Sequence, residues 1–194
     1  AAEIAAAIAS VDRVAREGAL FHNAYVSVSS CCPSRANILT GQHFYRLKEA
    51  SQNFGGGLRT SFPVYTELLS ETGYHVGFTG KGFGPTGPLA APDEMYDRPC
   101  GKSYNKIKTE PPTPTMHNVD YSANFREFLK DRENGQPFCF WYGCREPHRD
   151  YEIGSGLRHG KKLEQARVPG FLPDAPEVRK DLLDYALEVE WYDH

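Results

Sequence analysis

Hydrophobic and polar positions along this chain follow two different periods. Ile4, Ile8, Val11 and Ala15 recur at helical spacing before Gly18, which predicts a helix over 1–17. Residues 20–28 are rich in aromatic and β-branched types and predict an extended segment. A polar passage over 42–61, with Gly55-Gly56-Gly57, predicts a loop that either shapes a site or simply connects. Val64, Leu68 and Leu69 predict one face of a helix over 63–72, stopped by Gly73. Residues 74–79 alternate with period two, as a strand does. Residues 85–118, rich in Pro, Gly and Lys, predict irregular chain packed over one end of a sheet. Tyr121, Phe125, Phe128 and Leu129 predict a helix over 120–131. The continuous apolar run 137–143 predicts a strand buried on both faces, hence central and parallel. Residues 168–173 read as extended. Asp174 with Glu177 then gives a capping pattern, and Val178, Leu182, Tyr185 and Val189 predict a core-packing helix to Trp191. Helices alternating with strands predict an α/β fold, with helices flanking a mostly parallel sheet.

The candidate chemistry sits between the first two predicted elements. Ser29-Ser30-Cys31-Cys32-Pro33-Ser34-Arg35-Ala36-Asn37-Ile38-Leu39-Thr40-Gly41 reads as a strand or loop feeding a short helix. Pro33 suits a first turn, where its missing N–H would be unpaired anyway. Gly41 suits the left-handed position that ends a helix. Cys31 then lies at or just before a helix N-terminus, where outward N–H groups favour negative charge. Arg35, one turn along, reaches the same spot with a fork that fits a tetrahedral oxyanion. Taken by themselves, the paired cysteines also read as small buried residues and Arg35 as a surface charge.

The whole string resembles the signature of the type I sulfatases, C-x-P-S-R-x-x-x-L-T-G, whose first cysteine becomes formylglycine. Cys31, Pro33, Ser34, Arg35, Leu39, Thr40 and Gly41 match in register. Residues 12–18 look like that family's early helix. Lys81 alone reads as a surface lysine, but its place in G-Y-x-x-G-x-x-G-K resembles a second sulfatase motif, whose lysine binds sulfate. Val76 stands where relatives carry Ser or Thr, and Gly82 and Phe83 stand where a histidine is common. Glu146-Pro147-His148-Arg149-Asp150-Tyr151 resembles the family's [DE]-P-H-[RX]-P-Y element, with Asp150 in place of the second proline. Residues 80–85, 137–151 and 168–193 look more like bacterial sulfatases of the heparan N-sulfatase (N-sulfoglucosamine sulfohydrolase) type than like arylsulfatases.

The resemblance implies an alkaline-phosphatase-like architecture and a formylglycine diol made from Cys31. One diol oxygen would attack sulfur and the other would release sulfate. Arg35 and Lys81 would offset charge, and His148 would bind sulfate or assist proton transfer. It implies a calcium ion between diol and sulfate, with Cys31, as formylglycine, the one metal ligand that carries over. It also implies a sulfated carbohydrate substrate, a formylglycine-generating or other sulfatase-maturing enzyme, and a periplasmic or secreted setting. The match runs from about Val11 to the last residue, so 1–194 reads as the N-terminal part of a catalytic domain, with exposed sheet edges and core surface. The family's first-strand aspartates and its later Asp-Asn or Asp-His pair are not found, and Asp12 and Asp193 lie in other contexts. The expectation is poor calcium binding and no activity for the chain by itself. The alternatives are a phosphonate or phosphodiester hydrolase of the same superfamily and an inactive, sugar-binding sulfatase remnant.

Composition narrows the picture further. At 194 residues, with 40% hydrophobic and 24% charged residues, the chain can bury an ordinary soluble core. Its net charge of −3 and lack of a basic run argue against nucleic acid as partner. No apolar segment is long enough to cross a membrane, and the Ala-rich start, with Glu3 and no basic leader, makes a poor signal peptide. Five cysteines without a C-x-x-C pair suggest neither a disulfide framework nor a zinc ribbon. The chain opens on Ala1 and has only Met95 and Met116, so it reads as a processed or partial product. His43, Arg145 and Arg149 read as surface residues, although the two arginines could also favour an acidic sugar.

Overall fold

Three parallel strands organise one part of the molecule. In the computed structural model, which describes residues 8–84 and 92–193, strand β1 (His75–Gly80) lies between β2 (Lys102–Ser103) and β3 (Phe138–Gly143). β1 pairs with β3 from His75 opposite Phe138 to Gly80 opposite Gly143, so the two strands end side by side. The chain divides into two units by its contacts. One comprises Asn23–Lys108 and Val119–Cys144, and the other Ala1–His22, Thr109–Asn118 and Arg145–His194.

The first unit contains the sheet, α2 (Cys31–Thr40), α3 (Tyr65–Glu71) and α4 (Tyr121–Asp131). Its core joins Cys32, Ala36 and Leu39 of α2 to Leu47, Ala50, Leu58, Val64, Phe83 and Cys100. A second aromatic group forms where Phe128 of α4 meets His75 and Phe140 at centroid distances of 4.4 and 4.6 Å. Asp120 caps α4 by accepting from Ala123 N at 2.7 Å. The second unit is built on α6 (Pro176–Asp193), which packs against α5 (Ser155–Arg158) and α1 (Ala9–Glu17). Asp193 accepts from Ser10 N and Val11 N at 3.0 and 2.7 Å, so the end of α6 caps the start of α1.

Several expectations change. The predicted first helix is seen from Ala9, and its Ile4 lies outside the described residues, as do 85–91 of the predicted loop. Residues 20–28, expected to be extended, pair with no described strand, and Tyr25 is 89% exposed. The supposed loop 42–61 contains the 3₁₀ turns Phe44–Arg46 and Lys48–Ser51 and sends Leu47, Ala50 and Leu58 into the core. Leu68 of α3 points to solvent while Val64 is buried. β3 is parallel but flanks β1, and its Phe138 and Tyr142 are 42% and 44% exposed. Asp174 does not cap α6; it takes a two-point bond from Arg179 at 2.6 and 2.7 Å. The buried stripe of α6 is Leu183, Ala186 and Leu187, one position on from the predicted one.

Candidate functional site

Ser30, in extended conformation, precedes the first turn of α2, and Gly41 (φ 66°) closes the helix by donating to Asn37 O at 2.8 Å. The two adjacent thiols therefore meet different surroundings. Cys32 faces inward, is fully buried, and burial pushes its thiol up to about 11, so it stays protonated and inert. Cys31 faces a cleft of about 570 Å³, together with Ser34, Arg35, Asn53, Trp141 and Cys144. Asn53 accepts from Cys32 N at 2.9 Å, which ties the 42–61 segment to the first turn beside Cys31.

Arg35 is half-buried, and that burial lowers its pKa against the opposing pull of nearby thiols. Its Nη1 donates to the carbonyls of Lys81, Gly82 and Gly84 at 3.1, 2.7 and 3.4 Å. Among the described residues no carboxylate pairs with it. A guanidinium held by neutral carbonyls keeps its charge available to an anion.

Lys81 follows β1 directly, and its backbone N–H donates to Gly143 O. The ends of β1 and β3 approach so closely that a Cβ on Gly80 would strike the Gly143 carbonyl, and one on Gly143 the Lys81 carbonyl. The structure thus brings Cys31, Arg35 and the Lys81 turn together at the C-terminal ends of parallel strands, where open α/β sheets collect ligands.

A sequence model of the Sulfatase family matches residues 4–186. The chain belongs to the sulfatase family. It is 31% identical over 199 residues to N-sulphoglucosamine sulphohydrolase of Homo sapiens, a match covering 89% of this chain and 37% of that protein. It is 32% identical over 154 residues to N-acetylglucosamine-6-O-sulfatase of Bacteroides thetaiotaomicron, covering 73% of this chain and 26% of that one. A solved structure from work on the metabolism of multiple glycosaminoglycans by Bacteroides thetaiotaomicron superposes with a TM-score of 0.65 at 17% identity. It covers 98% of this chain and 49% of that one. The chain therefore spans about a third of the length of these curated relatives, and its α/β fold is that of a sulfatase domain.

Within this sulfatase chain, His148 lies in the second unit. Its backbone N–H donates to Arg145 O at 3.0 Å and its ring Nδ1 contacts the Arg149 carbonyl; the ring is exposed. Tyr151 Oη donates to Pro147 O at 2.9 Å and Glu146 accepts from His117 N at 2.8 Å, holding the turn on both sides of His148. Arg149 forks onto Asp181 at 2.7 and 2.5 Å, as a surface charge does. His43 is exposed and stacks on Tyr45.

The metal assignment of Cys31 gains no support from its surroundings. Among the described residues no three His, Cys, Asp or Glu side chains converge. The wall of the cleft offers serines, Asn53 and the cationic Arg35, whereas calcium asks for several anionic or carbonyl oxygens. Phe83, one of the two positions where the motif resemblance leads to the expectation of a histidine, is buried in the core and presents no proton donor. No helix among the described residues is long and apolar enough to cross a membrane. No spacing in the sequence marks Asn53, Trp141 and Cys144 as neighbours of Cys31 in the cleft. Asn53 sits in a passage whose composition signalled only a loop.

Proposed function

We propose that this chain is the nucleophile-bearing part of a sulfatase that hydrolyses sulfuric esters or sulfamates of sulfated sugars. One observation carries the reading: Cys31, and not Cys32, opens to the cleft lined by Arg35, whose charge meets no carboxylate among the described residues. Converted to formylglycine by a maturing enzyme, Cys31 would supply a hydrated aldehyde that takes up the sulfuryl group and then releases sulfate. The roles of the other residues follow the motifs that they match. Arg35 attracts the sulfate oxygens and lowers the cost of charge gathering there. Lys81 adds a second cation from the strand end. His148 is assigned to sulfate binding or to protonation of the leaving group. The described residues assign no side chain to calcium.

N-sulphoglucosamine sulphohydrolase and N-acetylglucosamine-6-O-sulfatase match at nearly equal identity, which supports a sulfated amino sugar and leaves both N- and O-linked sulfate within the proposal. The chain alone is expected to be inactive, so the test is product release by the full reading frame that contains these residues, co-expressed with a formylglycine-generating enzyme, on N- and O-sulfated glucosamine and on phosphodiester and phosphonate ester controls. Sulfate release that Cys31→Ala abolishes is the expected result. Cleavage of the phosphorus esters alone would move the protein to the phosphohydrolase branch, and no release from a fully converted sample would overturn the proposal.

A further inference from the structure

Asn105 lies two residues past the edge strand β2, in a stretch whose composition suggested only irregular chain. Its side chain nevertheless makes four bonds, three of them to the end of β1. Oδ1 accepts from Gly80 N at 2.6 Å and from Thr79 Oγ1 at 3.1 Å. Nδ2 donates to Gly80 O at 3.1 Å and to Ser103 Oγ at 3.1 Å. One amide therefore pairs with both backbone groups of Gly80, as a neighbouring strand would, at the residue just before Lys81. Gly80 has φ +72°, so here the chain leaves the strand path and turns toward Lys81. On the far side of that turn, Arg35 binds the Lys81, Gly82 and Gly84 carbonyls.

We propose that Asn105 is a positioning residue for Lys81: by clasping Gly80 it fixes the direction in which the lysine ammonium leaves β1. The inference rests on the sulfatase reading for the purpose of Lys81, but not for the geometry of the clasp. An Asn is suited to this place because it offers a donor and an acceptor side by side. Aspartate has no donor for Gly80 O and would attract the ammonium it is meant to release.

The test uses the full chain with inorganic sulfate as probe and a double-mutant cycle of Asn105→Ala and Lys81→Met. Side-chain order at Lys81 Cε is followed by NMR relaxation in the same samples. Asn105→Ala should weaken sulfate binding by about tenfold, the scale of one or two lost hydrogen bonds. It should weaken it no further once Lys81 is Met, because the effect passes through Lys81. Order at Lys81 Cε should fall while the thermal transition remains cooperative. Equal weakening in both backgrounds, or unchanged Lys81 order, would overturn the proposal. Should sulfate not bind the wild-type chain at all, the sulfatase reading of Lys81 fails, and the relaxation result still decides the clasp. If Asn105→Ala does not fold, Asn105→Ser, a neutral side chain too short to reach both backbone groups of Gly80, is judged by the same relaxation result.

Discussion

The turn that carries Lys81 and the turn that carries His148 are held by opposite chemistry. The first is fixed by neutral groups, the Asn105 amide and a set of backbone carbonyls, around a half-buried Arg35. The second is held by Tyr151 Oη on the Pro147 carbonyl and, together with the segment that leads on to α5, by buried carboxylates. Asp184 of α6 accepts from Gly154 N and Gly156 N at 2.8 Å each, Glu146 binds His117 N, and Glu188 lies 2% exposed near Glu146. The difference teaches where each turn is sensitive. A turn built on a guanidinium and amides ignores pH over the range in which proteins work and waits for an anion. A turn packed beside the buried Glu188 answers to protons through that carboxyl, which burial raises to about 7.

The sharpest break of the first turn is steric. Gly143→Ala drives a methyl group into the Lys81 carbonyl and should lower unfolding free energy by more than about 3 kcal/mol in urea titrations. Arg35→Met leaves the carbonyls without their donor and the cleft without its cation. It should cut affinity for inorganic sulfate by more than about tenfold in calorimetry, and Arg35→Lys should not restore it, since one ammonium cannot copy the fork.

The second turn breaks with pH. Burial first, and then the charge of Glu146, raise Glu188 to about 7 from the ordinary 4.5. The folded form thus holds a proton that the unfolded chain releases. Its contribution to stability is fully present below about 4.5 and is lost as pH rises through about 7. Glu188→Gln should raise stability by about 1–2 kcal/mol at pH 8 and change little near pH 4, as read from thermal melts across that range. Arg149→Ala, which removes an exposed fork to Asp181, should shift stability by less than about 1 kcal/mol. A loss several times larger would mean that the His148 turn depends on surface charge rather than on its buried carboxyls.

The same contrast explains what could be read from the chain. The α2 boundary was legible because Pro33 and Gly41 are local signals, and β1 was legible because its period is two. β2 was not: Lys102 and Ser103 are both exposed, and only their pairing to Gly77 and Phe78 makes them a strand. The buried face of α6 was displaced by one position because Asp184 and Glu188 lie on it, and a hydropathy pattern assigns such residues to solvent. At the site, Cys31, Arg35 and Lys81 could be named from their motif. Asn53 and Asn105 could not, because what they hold is backbone far away in sequence, and no spacing rule marks that.

The central claim is that Cys31 alone of the adjacent thiols becomes the reactive group. Its most direct test is peptide mass spectrometry of the chain co-expressed with a formylglycine-generating enzyme. The account predicts an aldehyde in place of the thiol at Cys31, trappable by a hydrazide, with Cys32 still a thiol. An unmodified Cys31, or conversion at Cys32 instead, would contradict it.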